Sequence, residues 1–223
     1  MYMFYKDIVC LANSRKMNGR CVAGKDVKTK EWIRPVSSNE CEELSLGQIK
    51  PKGRQTLNLL DIVRIPCKVK KPSRHQPENI LIDDGSWEKI GEFEPKQLDS
   101  ICDHPKAIWL LGEHDDRIPV DYFNKIKSDS SLLLIKPSDL FLRRDNYTDM
   151  NGVTKRKLRA IFSYNGKQYS FGVTDPLVES QYKNKPEGDY RISGSKIYLC
   201  VSLGEPAPWD NCCYKFVAAL IQV

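Results

Sequence analysis

Residues 6–37 read KDIVCLANSRKMNGRCVAGKDVKTKEWIRPVS and show the pattern of three short strands. Residues 8–12 are apolar and β-prone, and residues 20–25 and 31–36 form the second and third runs. The connectors between these runs are rich in Asn, Gly, Asp and Lys, which favour turns. The stretch therefore predicts a small antiparallel sheet with positively charged connectors and one large aromatic residue, Trp32.

A second strong pattern surrounds Asn165-Gly166, a dipeptide that favours the primed turns of two-residue hairpins. The flanking segments, residues 157–164 and 167–174, alternate between apolar and polar side chains. Such alternation predicts an antiparallel hairpin with one buried face. Counting outward from the turn, the expected apolar pairs are Phe162–Tyr169, Ala160–Phe171 and Leu158–Val173. On the other face the expected pairs are Ser163–Gln168, Ile161–Ser170 and Arg159–Gly172.

The composition is that of a folded, soluble protein. The chain has 223 residues, 40% of them hydrophobic and 29% charged, so we expect a buried core. No apolar run approaches the roughly 20 residues of a membrane-spanning helix. Lys6 and Asp7 interrupt the apolar start, so we expect no signal peptide.

The eight cysteines are scattered and form no CxxC pair. This distribution favours buried thiols in the reducing cytoplasm over a disulfide framework. Only Cys102 and His104 lie close together, whereas zinc sites show close pairs of ligands. We therefore expect a cytoplasmic protein without a metal or other cofactor.

The charges are distributed unevenly. Residues 1–75 carry sixteen Lys and Arg against seven Asp and Glu, a balance of +9. The balance is −7 over residues 76–130 and +4 over residues 131–223. Two basic segments thus flank an acidic one, which suggests a directional field that favours polyanions. The alternative is a solvated surface on which the charges intermix after folding.

Several separated motifs resemble those of the bacterial dual OB-containing domain family. Its first landmarks here are DIVCLANSR at residues 7–15, GRCVAG at 19–24 and WIRPV at 32–36. Its later landmarks are QPEN at residues 76–79, VTDP at 173–176, VSLGEP at 201–206, and Tyr214-Lys215 with VAA at 217–219. The resemblance implies two OB folds and a connection with nucleic-acid-related or anti-phage defence systems, and it assigns no catalytic residue.

The strand patterns and the resemblance together predict a mainly β protein with a few short helices, built as two fused OB-like small β-barrels. Residues 95–102, 120–128 and 177–182 have helical patterns. We expect an N-terminal barrel with helical insertions over residues 1–130 and a C-terminal barrel over residues 131–223. Closed barrels of this kind leave no exposed sheet edges.

OB folds commonly bind single strands through a charged groove and stacking aromatics. We therefore predict binding of single-stranded DNA or RNA, held largely through its backbone. The predicted nucleic-acid-binding residues are Arg15, Lys16, Arg20, Lys25, Trp32, Arg34, Arg74, Arg143, Arg144, Lys155, Arg156 and Arg159. Tyr164 and Tyr169 are further stacking candidates, although core packing is the alternative for every aromatic named.

No catalytic constellation is visible. The three histidines, His75, His104 and His114, belong to no recognisable hydrolase or phosphate-binding motif. Asp115-Asp116 could hold a cation, but a solvated acidic turn is the simpler interpretation. We therefore predict no catalytic residue.

The alternative function is a protein-interaction or small-ligand (nucleotide) sensing module. Polar side chains next to apolar strands could line a cleft for such a ligand. These are Asn13, Ser14, Asn79, Thr174, Asp175 and Glu205. Turn capping is the simpler role for each of them.

Overall fold

The structure is a computed structural model that describes residues 3–109, 116–123, 130–148, 151–194 and 196–223. The chain forms two compact units. Unit 1 comprises residues 1–102 and 129–134, and unit 2 comprises residues 103–128 and 135–223. Strands dominate both units, which confirms the predicted fold class. The predicted division into domains at residue 130 stays a prediction.

Unit 1 begins with the three strands predicted from residues 6–37. Its strands are β1 (Phe4–Lys16), β2 (Gly19–Asp26), β3 (Trp32–Val36), β4 (Asp61–Lys70), β5 (Asn79–Ile82) and β6 (Glu88–Glu92). A 3₁₀ helix over Pro95–Ile101 follows β6.

Five of these strands close into a barrel in the order β1-β2-β3-β5-β4. Closure requires β1 to pair with both β2 and β4, and a register shift between Cys10 and Ala12 bends the strand toward both partners. At Gly24 the neighbouring strand is so close that an added Cβ would lie 2.1 Å from the carbonyl oxygen of Val9. Strand β3 runs parallel to β5, and the remaining pairs are antiparallel. A five-stranded closed barrel of this kind is the OB architecture.

Unit 2 contains most of the remaining elements. Its elements are β7 (Arg117–Pro119), α1 (Val120–Phe123), β9 (Asp139–Thr148), β10 (Thr154–Tyr164), β11 (Lys167–Val173), α2 (Pro176–Tyr182), β12 (Gly188–Arg191), β13 (Ile197–Pro206) and β14 (Cys212–Gln222). Strand β8 (Leu132–Ile135) crosses the division between the units.

The main sheet of unit 2 repeats the strand order of the first barrel. Strands β9, β10 and β11 form an antiparallel meander, β11 runs parallel to β14, and β14 pairs with β13. The helix α2 follows the third strand of this series. Strand β12 pairs with the outer edge of β9.

The hairpin predicted around Asn165-Gly166 is confirmed, with Phe162 opposite Tyr169 and Ala160 opposite Phe171. Both residues of the turn have positive φ, 50° at Asn165 and 74° at Gly166, as the primed turn requires. The predicted apolar side chains of the hairpin are buried, apart from Leu158, which is half-buried.

The helical predictions are met in part. The segment at 95–102 is a 3₁₀ helix and that at 177–182 is α2. Of the helix predicted over 120–128, residues 120–123 are helical and residues 124–128 lie outside the described part of the chain. Strand β12 was not predicted, because its sequence GDYR alternates without apolar side chains.

Candidate nucleic-acid interface

In OB barrels, the face of the second and third strands and the loops between strands 1–2 and 4–5 bind oligonucleotides. In unit 1 these loops are residues 17–18 and 71–78. In unit 2 the corresponding connections are the one between β9 and β10, of which residues 151–153 are described, and residues 207–211. Their positions allow each predicted residue to be compared with the surface that OB folds use.

Two predicted arginines meet beside the first of these loops. Arg15 lies directly opposite Arg20 in the β1–β2 ladder, so both side chains stand on the same face. Arg15 is exposed and Arg20 is half-buried. The backbone of Arg20 is fixed by a reciprocal pair of hydrogen bonds with Leu44, at 2.8 and 2.9 Å. Since like charges in this arrangement repel, an anion between them would stabilise the arginine pair, Arg15 and Arg20.

Two further predicted cations of unit 1 lie at the two loops, Lys16 beside loop 17–18 and Arg74 within loop 71–78. Lys16 ends β1 next to the arginine pair and is half-buried. Arg74 is exposed in loop 71–78, where Ser73 and Gln76 exchange backbone hydrogen bonds that hold the turn. Within the described residues, the Arg74 side chain forms no ion pair.

Lys25 and Trp32, both predicted to contact nucleic acid, are instead buried. The Nζ of Lys25 donates to the carbonyl oxygen of Ile101 at 2.8 Å and lies 5.2 Å from the centre of the Trp32 ring. These side chains connect β2 and β3 to the 3₁₀ helix. Neither side chain is placed to contact a nucleic-acid strand, so we exclude both from the candidate interface.

Arg34 is also buried, with only 2% of its surface exposed, and it is bound within a polar network. Its Nε donates to Glu78 at 3.0 Å, its Nη1 contacts the Cys21 sulfur at 3.3 Å, and its Nη2 donates to Ser131 Oγ at 2.7 Å. Burial would lower the pKa of the guanidinium, but Cys21 and Glu78 raise it above its ordinary value. Arg34 is therefore a structural cation and not a phosphate contact.

The five predicted cations of unit 2 differ in exposure and in partners. Arg143 forms two hydrogen bonds of 2.7 Å with Asp189 across the β9–β12 ladder. Arg159 donates to Asp116 at 3.1 Å and to Ser170 Oγ at 2.8 Å. The other three predicted cations are Lys155 and Arg156, both exposed on β10, and Arg144, which is buried.

Tyr164 and Tyr169, the remaining stacking candidates, belong to the core. Tyr169 stacks on Phe162 at 5.6 Å, and its hydroxyl accepts a hydrogen bond from the backbone of Ile108 at 3.4 Å. Tyr164 is buried as well. Core packing, the alternative considered for each aromatic, therefore applies to both.

A group of neighbouring aromatic side chains, led by the most exposed of the described aromatics, Trp209, lies on loop 207–211 and β14. Trp209 is 76% exposed at the loop, with its ring centre 6.1 Å from that of Tyr214. Tyr214 stacks on Phe216 at 6.4 Å, two residues further along the strand. We call Trp209, Tyr214 and Phe216 the aromatic edge.

Polar contacts fix the middle ring of the aromatic edge. The Tyr214 hydroxyl donates to Asp210 at 2.7 Å and accepts from Arg117 Nη1 at 2.9 Å. The Arg117 guanidinium lies 5.2 Å from the centre of the Tyr214 ring, which is a cation–π distance. The Tyr214 hydroxyl, together with Arg117, lowers the pKa of the Asp210 carboxyl. A charged carboxylate therefore holds the arginine over the ring.

Glycines leave room for the innermost ring. Gly172 on β11 lies opposite Phe216, and an added Cβ at Gly172 would be 3.5 Å from that ring. An added Cβ at Gly204 on β13 would be 3.2 Å from it. Since Arg159 is also opposite Gly172, its side chain and the Phe216 ring share the outer face of the sheet. Aromatic and cationic groups are thus combined on one face of unit 2.

The described residues contain no group of three or more His, Cys, Asp and Glu side chains arranged to hold a metal ion. His114 and Asp115, which were considered as catalytic or cation-binding groups, lie outside the described residues. In the part of the chain that is described, no helix is long and apolar enough to cross a membrane.

The fold and this surface define an OB-type β protein with the arginine pair in unit 1 and the aromatic edge in unit 2. The family model of the dual OB-containing domain matches residues 6–220, so the chain belongs to this family. No curated protein matches the chain.

Proposed function

We propose that the protein binds single-stranded nucleic acid, with bases stacked on the aromatic edge and phosphates held by neighbouring cations. The observation that carries this proposal is the exposure of Trp209 on the loop that OB barrels use for oligonucleotides. Membership of a family named for its OB domains supports the same class of function.

Stacking is the source of affinity that the aromatic edge supplies. A base on an aromatic side chain contributes about 1–3 kcal/mol, and every base has a face that can stack. Trp209 offers one open ring, and Arg117 supplies positive charge beside Tyr214. Binding at this site therefore tolerates different sequences.

Phosphate contacts are the second source of affinity. In unit 1 we assign them to the arginine pair, Lys16 and Arg74, and in unit 2 to Lys155 and Arg159. Each contact releases counterions from the strand, which makes affinity fall as salt rises. Arg143 is paired with Asp189 and Arg159 with Asp116, so the contributions of these two arginines are smaller.

Fluorescence anisotropy with labelled single-stranded DNA and RNA, repeated over a series of salt concentrations, tests this function. We expect binding at low salt that weakens steeply as salt increases. Absence of binding at low salt would eliminate the function. An affinity that does not change with salt concentration would exclude the phosphate contacts but remain consistent with stacking.

The proposed location is the cytoplasm, because none of the eight cysteines, all within the described residues, forms a disulfide, as is usual in a reducing compartment. A bacterial origin and a role in a defence-type system rest on the family resemblance described above. Blue-native electrophoresis and fractionation of the source cell would test location and assembly.

A further inference from the structure

A cleft of about 430 Å³ lies in unit 2 between α2 and the ends of β9 and β10, and the proposed function does not use it. The charged residues that line it are four cationic ones, Arg144, Arg156, Lys157 and Lys183, and one acidic one, Glu179. The Lys157 side chain, between Arg156 and Leu158 on β10, points to the opposite face of the strand. The remaining lining residues are Leu158, Pro176, Ser180 and Tyr182. The volume falls within the range of pockets that bind small molecules.

The β9–β10 register explains why arginines line this cleft. Leu142 lies opposite Ala160 and Arg144 lies opposite Leu158, so Arg144 continues the apolar inner row. Arg156, two residues before Leu158, falls on the same face. The apolar inner face of the sheet thus ends in two arginines where α2 covers it.

Arg144 is the most informative group in the cleft. Only 8% of its surface is exposed, and among the described residues its buried Nε has no hydrogen-bond acceptor. Its Nη1 is 3.9 Å from Glu187, whose side chain is more than half exposed. A buried guanidinium without a full set of acceptors is unfavourable, so an anionic ligand in the cleft would stabilise it.

The walls of the cleft are fixed. Asp175 caps α2 by accepting hydrogen bonds from Leu177 and Val178, at 3.0 and 3.4 Å, and from Leu220 of β14 at 3.1 Å. The ring of Tyr182 packs edge-on against Tyr190 at 5.3 Å. The helix and its pocket-facing side chains are therefore held in place before a ligand enters.

We propose that this cleft binds the phosphate monoester group of a small organic ligand of nucleotide size. Arg144 and Arg156 hold the phosphate oxygens, Lys183 adds positive charge, and Leu158 and Tyr182 provide apolar surface for the rest of the ligand. Arginine suits this role because its planar guanidinium donates two parallel hydrogen bonds to phosphate. The cleft is a specific site for the alternative function of small-ligand (nucleotide) sensing, and it shares no residue with the aromatic edge.

Isothermal titration calorimetry at low salt, with AMP, inorganic phosphate and adenosine as probes, tests the assignment. We expect AMP to bind, phosphate to bind more weakly and adenosine not to bind. AMP affinity should rise between about pH 5 and pH 7.5, since the second phosphate proton is lost near pH 6. No heat from AMP or phosphate at millimolar concentration would overturn the proposal.

Substitutions locate the site. Arg156→Gln and Arg144→Met should each lower AMP affinity about tenfold, the effect of losing a charge-assisted hydrogen bond. Glu179→Gln should raise it by removing a repelling charge. Arg54→Gln, an exposed arginine of unit 1, is the matched control and should leave affinity unchanged. If Arg144→Met fails to fold, the site is tested with Arg156→Gln and Lys183→Gln, two substitutions of exposed residues. Unchanged AMP affinity in both variants would overturn the assignment.

Oligonucleotides with and without a 5′-phosphate identify the source of the monoester. Equal affinity for both oligonucleotides, together with AMP binding, assigns the cleft to a free small molecule. A preference for the phosphorylated strand that Arg156→Gln abolishes assigns the same phosphate site to strand ends. A preference that survives both arginine substitutions would contradict the site.

Discussion

The indole Nε1 of Trp209 donates a hydrogen bond to the hydroxyl oxygen of Tyr214 at 3.3 Å. This bond orients a tryptophan that is otherwise 76% exposed, and the same hydroxyl is held by Asp210 and Arg117. Exposing so large an apolar ring to water is unfavourable unless a binding partner covers it. Its orientation and exposure together are typical of a binding residue.

Replacing Trp209 by alanine should weaken binding of a dT oligonucleotide by about 5- to 150-fold, because one stacked base contributes about 1–3 kcal/mol. Fluorescence anisotropy at fixed low salt measures the change. Tyr5→Ala removes another exposed aromatic, one on the first strand of unit 1, and should leave the affinity unchanged. Equal losses in the two variants would argue against a specific stacking site.

The double substitution Arg15→Gln with Arg20→Gln should reduce the salt dependence of binding. For single strands each lost phosphate contact lowers the slope of log affinity against log salt by about 0.7, so two lost contacts lower it by about 1.4. A variant that retains the wild-type slope would exclude the arginine pair, and Arg54→Gln provides the charge control.

Glu78→Gln should destabilise unit 1 by about 3–5 kcal/mol, because it leaves the buried Arg34 guanidinium without its counter-ion. Ser131 loses a partner as well, since its backbone N–H and hydroxyl both donate to Glu78. Urea denaturation followed by circular dichroism measures the loss. The control is Glu94→Gln, an exposed carboxylate 3.9 Å from Lys96, for which we expect less than about 0.5 kcal/mol. Similar midpoints for the two variants would contradict a structural role for Arg34.

Stability should fall at acidic pH as Asp26 becomes protonated. Burial alone would raise the pKa of this carboxyl, but the backbone N–H groups of Thr29 and Lys28 and the ammonium of Lys6 lower it below its ordinary value. A lowered folded pKa gives stability that is complete above the ordinary value of about 3.9 and is lost as pH falls through the folded pKa.

Asp26→Asn isolates this contribution. The variant should be less stable than the wild type at pH 7, and the difference should shrink as pH falls below about 4. Urea midpoints measured from pH 7 to pH 2.5 give the comparison. A difference that stays constant over this range would show that the charge of Asp26 does not contribute.

The hairpin around Asn165-Gly166 was predictable to the residue, because turn chemistry and strict alternation set its register. The alternation of β10, extended two residues beyond Leu158, places Arg156 on the inner face, whereas Arg144 is placed opposite Leu158 by the β9–β10 register. The sequence therefore contained the signal for Arg156 but not for Arg144, and both were first grouped with surface cations.

Trp32 and Arg34 were not predictable as interior residues from local pattern. All five residues of β3 are buried, since the strand is covered on both faces. An alternating pattern cannot reveal burial on both faces, because the covering 3₁₀ helix and Ser131 come from distant parts of the chain. The place of Trp209 in the candidate interface was not predictable either. A single tryptophan in a turn has no periodicity, and its role depends on Tyr214 five residues later.

The intrinsic tryptophan fluorescence of the protein during a dT oligonucleotide titration tests the central claim most directly. Of the four tryptophans, Trp32, Trp87 and Trp109 are buried and Trp209 is exposed, so stacking acts on Trp209 alone. We predict saturable quenching at low salt that is lost in Trp209→Phe, a variant that keeps an aromatic ring. No quenching in the wild-type protein, under conditions where anisotropy shows the oligonucleotide bound, would contradict stacking on the aromatic edge.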